Sequence, residues 1–264
     1  MKNLFFAIAF TIALSQLVFS QQGGGEPGFL IGTKLGLQTT KFKLTDDFLD
    51  AFMYEYETSY KFRPKIGFSG GARLGYVFSD NFSLFTDVSF ERSNYEYETL
   101  DNFDYETDKG EILTGLVKFE ETINRISFPL LARVKLGGDE GGFTISAGPD
   151  FSIGLAGKSN AVLYDGVKTV PLAASKEFTL GNSRFDEYVG FNVGFVLGIG
   201  AAIPIGDELR LTFDLQRKWG FTDQYSDERK TYVSQTEGFD IQGSKYLRGS
   251  YLSVGVEKTF GGTY

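Results

Sequence analysis

The sequence predicts an all-β fold, a transmembrane up-and-down antiparallel β-barrel, with eight strands. Three observations predict it: eight segments alternate apolar and polar residues, short and long connections alternate between those segments, and the polar faces combine glycines with full charges. Of the 264 residues, 33 are glycine and 27 are phenylalanine, against a single tryptophan. Frequent glycine and aromatic residues suit a membrane barrel better than a helical bundle.

The N-terminus reads as a targeting segment. Lys2 precedes an apolar run from Leu4 to Phe19, and small residues follow, so we expect residues 1–20 to be a signal peptide cleaved after Ser20. The alternative, a membrane-spanning helix, is disfavoured because about sixteen residues are short for a ~30 Å hydrocarbon core. Residues 21–27 are then a flexible lead-in, and 28–264 form the barrel.

Period-2 alternation marks each predicted strand. In the sixth and clearest segment, Phe191, Phe195 and Ile199 point one way, while Asn192 and Gly194 point the other. The same alternation places Leu211 and Asp214 on opposite faces of the seventh. The eight segments lie near 28–38, 66–78, 82–95, 123–136, 142–156, 189–203, 208–219 and 248–260.

The composition of the polar faces distinguishes between two kinds of barrel. A secreted soluble β protein would point its apolar face inward, and this alternative stays open, whereas a membrane barrel points that face at lipid. Glycines beside long charged side chains fit the narrow interior of eight strands, where ions pair and glycines leave room. The predicted lumenal charge network is Lys34, Arg73, Asp87, Glu91, Arg133, Lys135, Asp150, Arg210, Asp214 and Glu257.

Connection lengths predict the orientation. Residues 79–81, 137–141 and 204–207 form short turns, and the intervening connections are roughly 27 to 32 residues long. In bacterial barrels the short turns are periplasmic and the long loops extracellular, so both chain ends should be periplasmic. Ten strands are also possible if residues 161–171 form a hairpin. Aromatic residues expected to form a girdle at the short-turn ends are Phe29, Phe78, Phe82, Phe143 and Phe260.

Two central stretches resemble a known family. Ile126-Ser127-Phe128-Pro129-Leu130-Leu131-Ala132-Arg133 followed by Ser146-Ala147-Gly148-Pro149 resembles the outer-membrane β-barrel domain family of Bacteroidota, often called PorT-like. Residues 192–200 and the closing 251–260 also fit it. The resemblance implies an eight-stranded barrel in the outer membrane of a diderm bacterium. It also implies no shared catalytic residues.

The composition excludes several classes of chemistry. With no cysteine and no histidine, the chain has no thiolate nucleophile, no Ser-His-Asp triad and no histidine metal ligand. A formal net charge of -8 disfavours nucleic acid as a partner. Glycoside hydrolysis by two carboxylates stays formally open, although nothing marks a particular pair. We therefore predict a non-enzyme with no cofactor and no metal site.

The second long loop is acidic and aromatic. Such a loop is either a solvated segment or a binding surface for sugar, protein or Ca²⁺, with carboxylates as hard oxygen ligands and aromatic rings as contact area. Alternating tyrosine and acid at positions 95–98 suggests that the strands continue above the membrane. The candidate binding residues of this loop are Tyr95, Tyr97, Asp101, Phe103, Asp104 and Tyr105.

Two functions of a membrane barrel remain after these exclusions, and a third, a soluble ligand-binding barrel, belongs to the secreted alternative. The first is a barrel with a side-chain-filled lumen that acts as a membrane anchor and interaction surface, or as a PorT-like component of an envelope or secretion machine. The second is a narrow pore or carrier for small solutes. Outer-membrane lipid and lipopolysaccharide are the expected surroundings, and an envelope protein or extracellular ligand could bind the loops.

Overall fold

A computed structural model gives the fold. It describes residues 27–47, 60–100, 102–106, 110–137, 141–164, 169–171, 176–178, 180–181, 188–205, 209–236 and 241–260. The predicted signal peptide lies outside these residues. No helix in the described ranges is long and apolar enough to cross a membrane.

Strands make up almost all of the regular structure. The long strands are β1 (Gly28–Leu44), β3 (Ile66–Ser79), β4 (Phe82–Thr99), β6 (Ile112–Ser127), β7 (Leu130–Leu136), β8 (Gly142–Tyr164), β13 (Phe191–Pro204), β14 (Leu209–Asp223) and β15 (Lys245–Phe260). The short elements are β2 (Tyr60–Pro64), β5 (Phe103–Glu106), β9 (Thr169–Pro171), β10 (Lys176–Phe178), β11 (Leu180–Gly181), β12 (Tyr188–Val189) and the helix α1 (Asp227–Thr236).

The long strands close into one antiparallel ring of eight. β1 pairs with β3 on one side and with β15 on the other, where Phe29 lies opposite Phe260. β6 and β7 together form the fourth strand of the ring, because Pro129 has no N–H to donate and interrupts the ladder between them. Both halves pair with β4 and with β8. Closure leaves the ring without a free sheet edge, as a membrane requires.

Side chains alternate between an apolar exterior and a buried interior. Phe29 is 66 % exposed and its neighbour Leu30 only 2 %, and this alternation runs the length of β1. On β13, Leu197 points outward and Val196 is fully buried. The prediction that the apolar faces point outward is confirmed, and with it the eight-stranded barrel.

Two ends of the barrel can be distinguished. At the short-turn end, β3 and β4 are joined by residues 80–81, β7 and β8 by 137–141, and β13 and β14 by 205–208. Phe29 packs against Tyr76 there, with ring centroids 5.4 Å apart, and Phe78 packs against Phe82 at 5.6 Å. The opposite end carries the long connections, and we call it the long-loop end.

The strands extend past the apolar band at the long-loop end. β4 reaches Thr99 and pairs there with β2 and with β6, which begins as early as Ile112. Residues 161–171 do form a hairpin, since Tyr164 of β8 lies opposite Thr169 of β9. This hairpin lengthens the eight-stranded ring rather than adding two strands to it.

Candidate functional site: the filled lumen

The lowest level of the lumen, nearest the short-turn end, is an ion cluster centred on Arg73. Its guanidinium donates to Asp87 Oδ1 at 2.7 Å, to Asp214 Oδ2 at 2.9 Å and to Glu257 Oε2 at 3.1 Å. These carboxylates come from three strands, β4, β14 and β15, which meet across the interior because alternation points all of them inward. Arg73 is 2 % exposed, so the cluster is fully shielded.

Two further cations complete the ion cluster. Lys34 Nζ lies 2.7 Å from Asp87 Oδ2, and Arg133 Nη1 lies 2.9 Å from Glu257 Oε1. Both guanidiniums pack against the Phe85 ring, with Arg73 Cζ 4.5 Å and Arg133 Cζ 4.3 Å from its centroid. Strands β1, β3, β4, β7, β14 and β15 all contribute, so the ion cluster ties together most of the ring.

The middle level surrounds Lys218. Its ammonium pairs with Glu91, donates to Ser127 Oγ at 2.7 Å and lies 3.4 Å from Asp150 Oδ1. The Tyr251 hydroxyl donates to the second oxygen of Glu91 at 3.1 Å. We call these residues the lysine–acid cluster.

Amides extend the middle level toward the long-loop end. Arg125 donates to Gln224 Oε1 at 3.0 Å, and Gln224 Nε2 donates to Asn192 Oδ1 at 2.6 Å. Arg125 has no carboxylate among the hydrogen-bond acceptors that the structure gives it. A buried amide chain of this kind holds a guanidinium by dipoles rather than by a counter-ion.

The upper level, at the long-loop end, is an aromatic cluster formed by Phe42, Tyr95, Ile123, Phe178 and Tyr188. Lys245 lies within it: its ammonium is 4.2 Å from the Phe42 ring centroid and donates to the Tyr188 hydroxyl at 3.0 Å. That hydroxyl donates in turn to Glu121 at 2.7 Å. The rings and this short chain fill the barrel mouth.

Opposite charges occur in equal numbers in two parts of the lumen. The ion cluster has three cations and three carboxylates, and the middle level contains Arg125 and Lys218 together with Glu91 and Asp150. Such balance offsets the desolvation of ions in a closed interior. Two lumenal cavities, one at the short-turn end and one beside Lys218, measure about 20 Å³ each, room for a single water.

The structure brings most of the ten predicted lumenal residues together. Six form the ion cluster, and Glu91 and Asp150 flank Lys218. Lys135 and Arg210 line the small cavity at the short-turn end, together with Arg133 and Glu257 of the ion cluster.

Sequence reasoning missed Lys218, Arg125 and Lys245 as members of the lumenal set. The signal for Lys218 was present, since it continues the inward alternation of Thr212, Asp214 and Gln216. Arg125 shares the inward face of Ser127 in the same way. Lys245 had no such signal, because it lies before the alternating segment that begins near residue 248.

The predicted loop surface needs one correction. Tyr95 is not on an exposed loop: it lies in β4, 1 % exposed, inside the aromatic cluster. Tyr97, also in β4, is half-buried and stacks on Phe119 at 4.7 Å. The physical reason is that β4 continues past the apolar band, so its inward alternation continues too. Asp104 is exposed in β5, which also contains Phe103 and Tyr105, and Asp101 lies outside the described residues.

Metal ligands are not grouped in the described ranges. No set of three or more Asp or Glu side chains there is arranged to hold a metal ion. The lumenal carboxylates instead accept hydrogen bonds from lysine, arginine, serine and tyrosine.

A closed ring with an apolar exterior, an aromatic girdle and a polar, filled interior defines an integral outer-membrane β-barrel. The chain belongs to the outer membrane protein beta-barrel domain family, whose model matches residues 19–226. This family places it in the outer membrane. No curated protein matches the chain.

Several solved outer-membrane structures are similar to the chain at low sequence identity. Neisserial surface protein A is 12 % identical with a TM-score of 0.39, covering 90 % of this chain and 100 % of its own. OprG from Pseudomonas aeruginosa is 9 % identical with a TM-score of 0.41, covering 90 % and 98 %. The outer membrane protease OmpT from Escherichia coli is 9 % identical with a TM-score of 0.40, covering 88 % and 97 %.

Proposed function

We propose that this protein is a non-enzymatic outer-membrane scaffold: a barrel with a blocked lumen that anchors a strand-built extracellular surface for a partner. A component of an envelope or secretion machine, as the PorT-like resemblance implies, is the specific role proposed. The observation that supports this proposal most strongly is the lumen, which is filled at three levels by ion pairs, amides and aromatic side chains.

The blocked lumen supports an anchor over a pore. A conducting pore needs a continuous polar path, yet the ion cluster joins side chains from opposite walls at distances of 2.7 to 3.1 Å. Opening that path would separate buried ion pairs, which is strongly unfavourable when one partner is left alone.

The absence of histidine and cysteine from the sequence supports a non-enzymatic role. Hydrolysis by carboxylates alone needs one acid and one base with space for a substrate between them. The carboxylates of the ion cluster are instead held by cations from other strands, and the cavity beside Lys218 has room for one water.

The strand extensions support an interaction surface. β2, β5, β9 and β10 all add to the ring beyond the apolar band, so this end is a hydrogen-bonded platform rather than a set of separate loops. A rigid platform loses little conformational entropy when a partner binds. Asp104 on β5 is exposed on this platform and places a carboxylate there.

Conductance tests the blocked lumen. Purified protein is reconstituted into planar bilayers, and insertion is verified in matched liposomes by the gel mobility of the folded barrel. We expect no steady current at voltages that leave the bilayer intact. A sustained ohmic current from the inserted wild-type protein would replace the scaffold proposal with the narrow pore or carrier.

Cysteine labelling and crosslinking test the surface and its orientation. Because the chain has no cysteine, Asp104→Cys and Asp80→Cys each supply one thiol, at the long-loop end and at the short-turn end. We expect a membrane-impermeant maleimide to label only Asp104→Cys on intact cells. A photo-crosslinking residue at 104, but not at 80, should yield a discrete adduct. Labelling of only Asp80→Cys, or absence of the adduct, would contradict the proposal.

A further inference from the structure

Cations cluster on the outer wall of the barrel at the long-loop end. On β1, β14 and β15 one outward apolar row contains Leu37, Leu252 and Leu215, and the exposed Phe221 follows further along β14. Toward the long-loop end, Arg217 is the next outward residue after Leu215 on β14. Lys41 and Arg248 are the second outward residues after Leu37 on β1 and after Leu252 on β15. The part of β1 from Phe29 to Leu37 spans about 20 Å along the membrane normal when the strand is tilted by ~40°. The cations therefore lie at the border between hydrocarbon and lipid headgroups.

Like charges face one another in this cluster. Lys41 of β1 lies directly opposite Arg248 of β15, an arrangement that destabilises an antiparallel pair. Arg217 is opposite Ser250 and therefore diagonal to Arg248, and it donates one hydrogen bond to the Ser250 hydroxyl. An anion between these cations would offset their repulsion.

The protein does not supply that anion from the part of the chain that the structure describes. Neither Lys41, Arg217 nor Arg248 forms an ion pair there, and the Nε of Arg248 is buried without a hydrogen-bond partner. Other cations of the long-loop end do have carboxylates: Arg63 pairs with Glu98, and Lys65 lies 2.8 Å from both Glu96 and Glu120.

The surroundings indicate a lipid. The three side chains point sideways from the wall, and Trp219 lies directly opposite Arg248 and packs near Phe195, with ring centroids 6.4 Å apart. Tryptophan at such a border is typical of the headgroup region. Guanidinium groups suit phosphate because their planar donors bind two of its oxygens at once.

We propose that Lys41, Arg217 and Arg248 form a binding site for a phosphate group of an outer-leaflet lipid, beside Trp219. The assignment to the outer leaflet rests on the orientation in the proposed function. The site itself does not, since phosphate binding in micelles is independent of which end faces out. Failure of the cysteine-labelling experiment and failure of this site are therefore separate results.

The single tryptophan makes the site directly observable. Trp219 is the only tryptophan of the chain, so bisphosphorylated lipid A titrated into the folded protein in zwitterionic micelles should change its fluorescence saturably. The double variant Lys41→Gln with Arg248→Gln should bind about 25-fold more weakly, because each cation near an anionic surface contributes about fivefold.

Arg92 provides the matched control. It is an exposed outward arginine that follows Phe90 on β4, as Arg217 follows Leu215, but its cross-strand neighbours are Phe68 and Asn124. Arg92→Gln should bind lipid A like the wild type. An equal loss in Arg92→Gln would mean general electrostatic attraction and would overturn the site.

Two further ligands distinguish the source of the phosphate. Dephosphorylated lipid A should bind at least tenfold more weakly than the bisphosphorylated form, and inorganic phosphate should not compete at millimolar concentration. Equal binding of dephosphorylated lipid A would overturn the phosphate site. Saturable competition by inorganic phosphate would overturn the lipid assignment in favour of the free ion.

If the double variant does not fold, the Lys41→Gln single variant should show the fivefold loss.

Discussion

The two ends of the lumen hold their cations in different ways. At the short-turn end, Arg73 is neutralised by three carboxylates from three strands. At the long-loop end, Lys245 lies among aromatic rings and donates to the Tyr188 hydroxyl, which in turn donates to Glu121. Both cations are almost completely buried, at 2 % and 3 % exposure.

This difference predicts that burial alone does not determine how much an interior charge contributes to the free energy of unfolding. Removing one member of an ion cluster leaves its partners charged, desolvated and unpaired. Removing a lysine from an aromatic setting leaves rings that still pack and a carboxylate that keeps its tyrosine donors. We therefore expect the lower lumen to be sensitive to charge and the upper lumen to be sensitive to shape.

The largest effect is expected at the ion cluster. Arg73→Met removes the guanidinium but keeps a long apolar side chain, and it leaves Asp87, Asp214 and Glu257 without their shared partner. We expect the free energy of unfolding to fall by about 3–5 kcal/mol. Denaturant titration in lipid bilayers, followed by Trp219 fluorescence, measures it.

Two variants sharpen this result. Arg92→Met, on the outer wall, should change the free energy of unfolding by less than about 1 kcal/mol. Adding Asp87→Asn to Arg73→Met should restore part of the loss, because it removes one of the unpaired carboxylates. If Arg73→Met is no more damaging than Arg92→Met, the ion cluster does not stabilise the barrel.

The next effect tests the membrane depth of two positions on the outer wall. Leu211→Arg places a charge on the lipid-facing side of β14 and should cost about 2–4 kcal/mol, or prevent insertion. Leu209→Arg, at the short-turn border of the same strand, should cost about 1 kcal/mol or less, because the penalty falls toward the interface. Equal effects in folding assays with lipid vesicles would contradict the assigned membrane depth.

A smaller effect is expected at the aromatic cluster. Lys245→Met keeps the volume of the side chain among the rings and should cost about 0.5–2 kcal/mol. Glu121 keeps the hydroxyl donors of Tyr97 and Tyr188 in this variant. A loss as large as that of Arg73→Met, in the same denaturant titration, would show that the two ends do not differ as described.

The smallest effect lies outside the membrane. Lys65, at the long-loop end, is 44 % exposed and pairs with Glu96 and Glu120, whose hydrogen bonds raise its pKa above the ordinary 10.5. Lys65→Gln should cost less than about 1 kcal/mol. A raised lysine pKa gives stability that is fully present below 10.5 and lost only above it, so wild type and variant should differ by the same amount at pH 6 and pH 8. A difference that changes across this interval would contradict the ion pair.

Most of the barrel could be predicted from the sequence. Alternation located all eight strands and the direction in which each face points, and Lys34, Arg73, Asp87, Arg133, Asp214 and Glu257 were expected inside on that basis alone. The break at Pro129 and the exact strand ends were not predicted, because they depend on hydrogen bonds to neighbouring strands. Tyr95 was placed on a loop because nothing local shows how far a strand continues beyond the apolar band.

The sequence by itself determined which side of each strand is polar, because the two-residue period is a local property of an extended chain. Only the tertiary structure decided which polar side chains meet. Arg73 reaches Asp87, Asp214 and Glu257, which lie 14, 141 and 184 residues further along the chain. Lys41 likewise lies opposite Arg248 because of the register between β1 and β15. These meetings depend on register and stagger around the closed ring, which are fixed by all eight strands together.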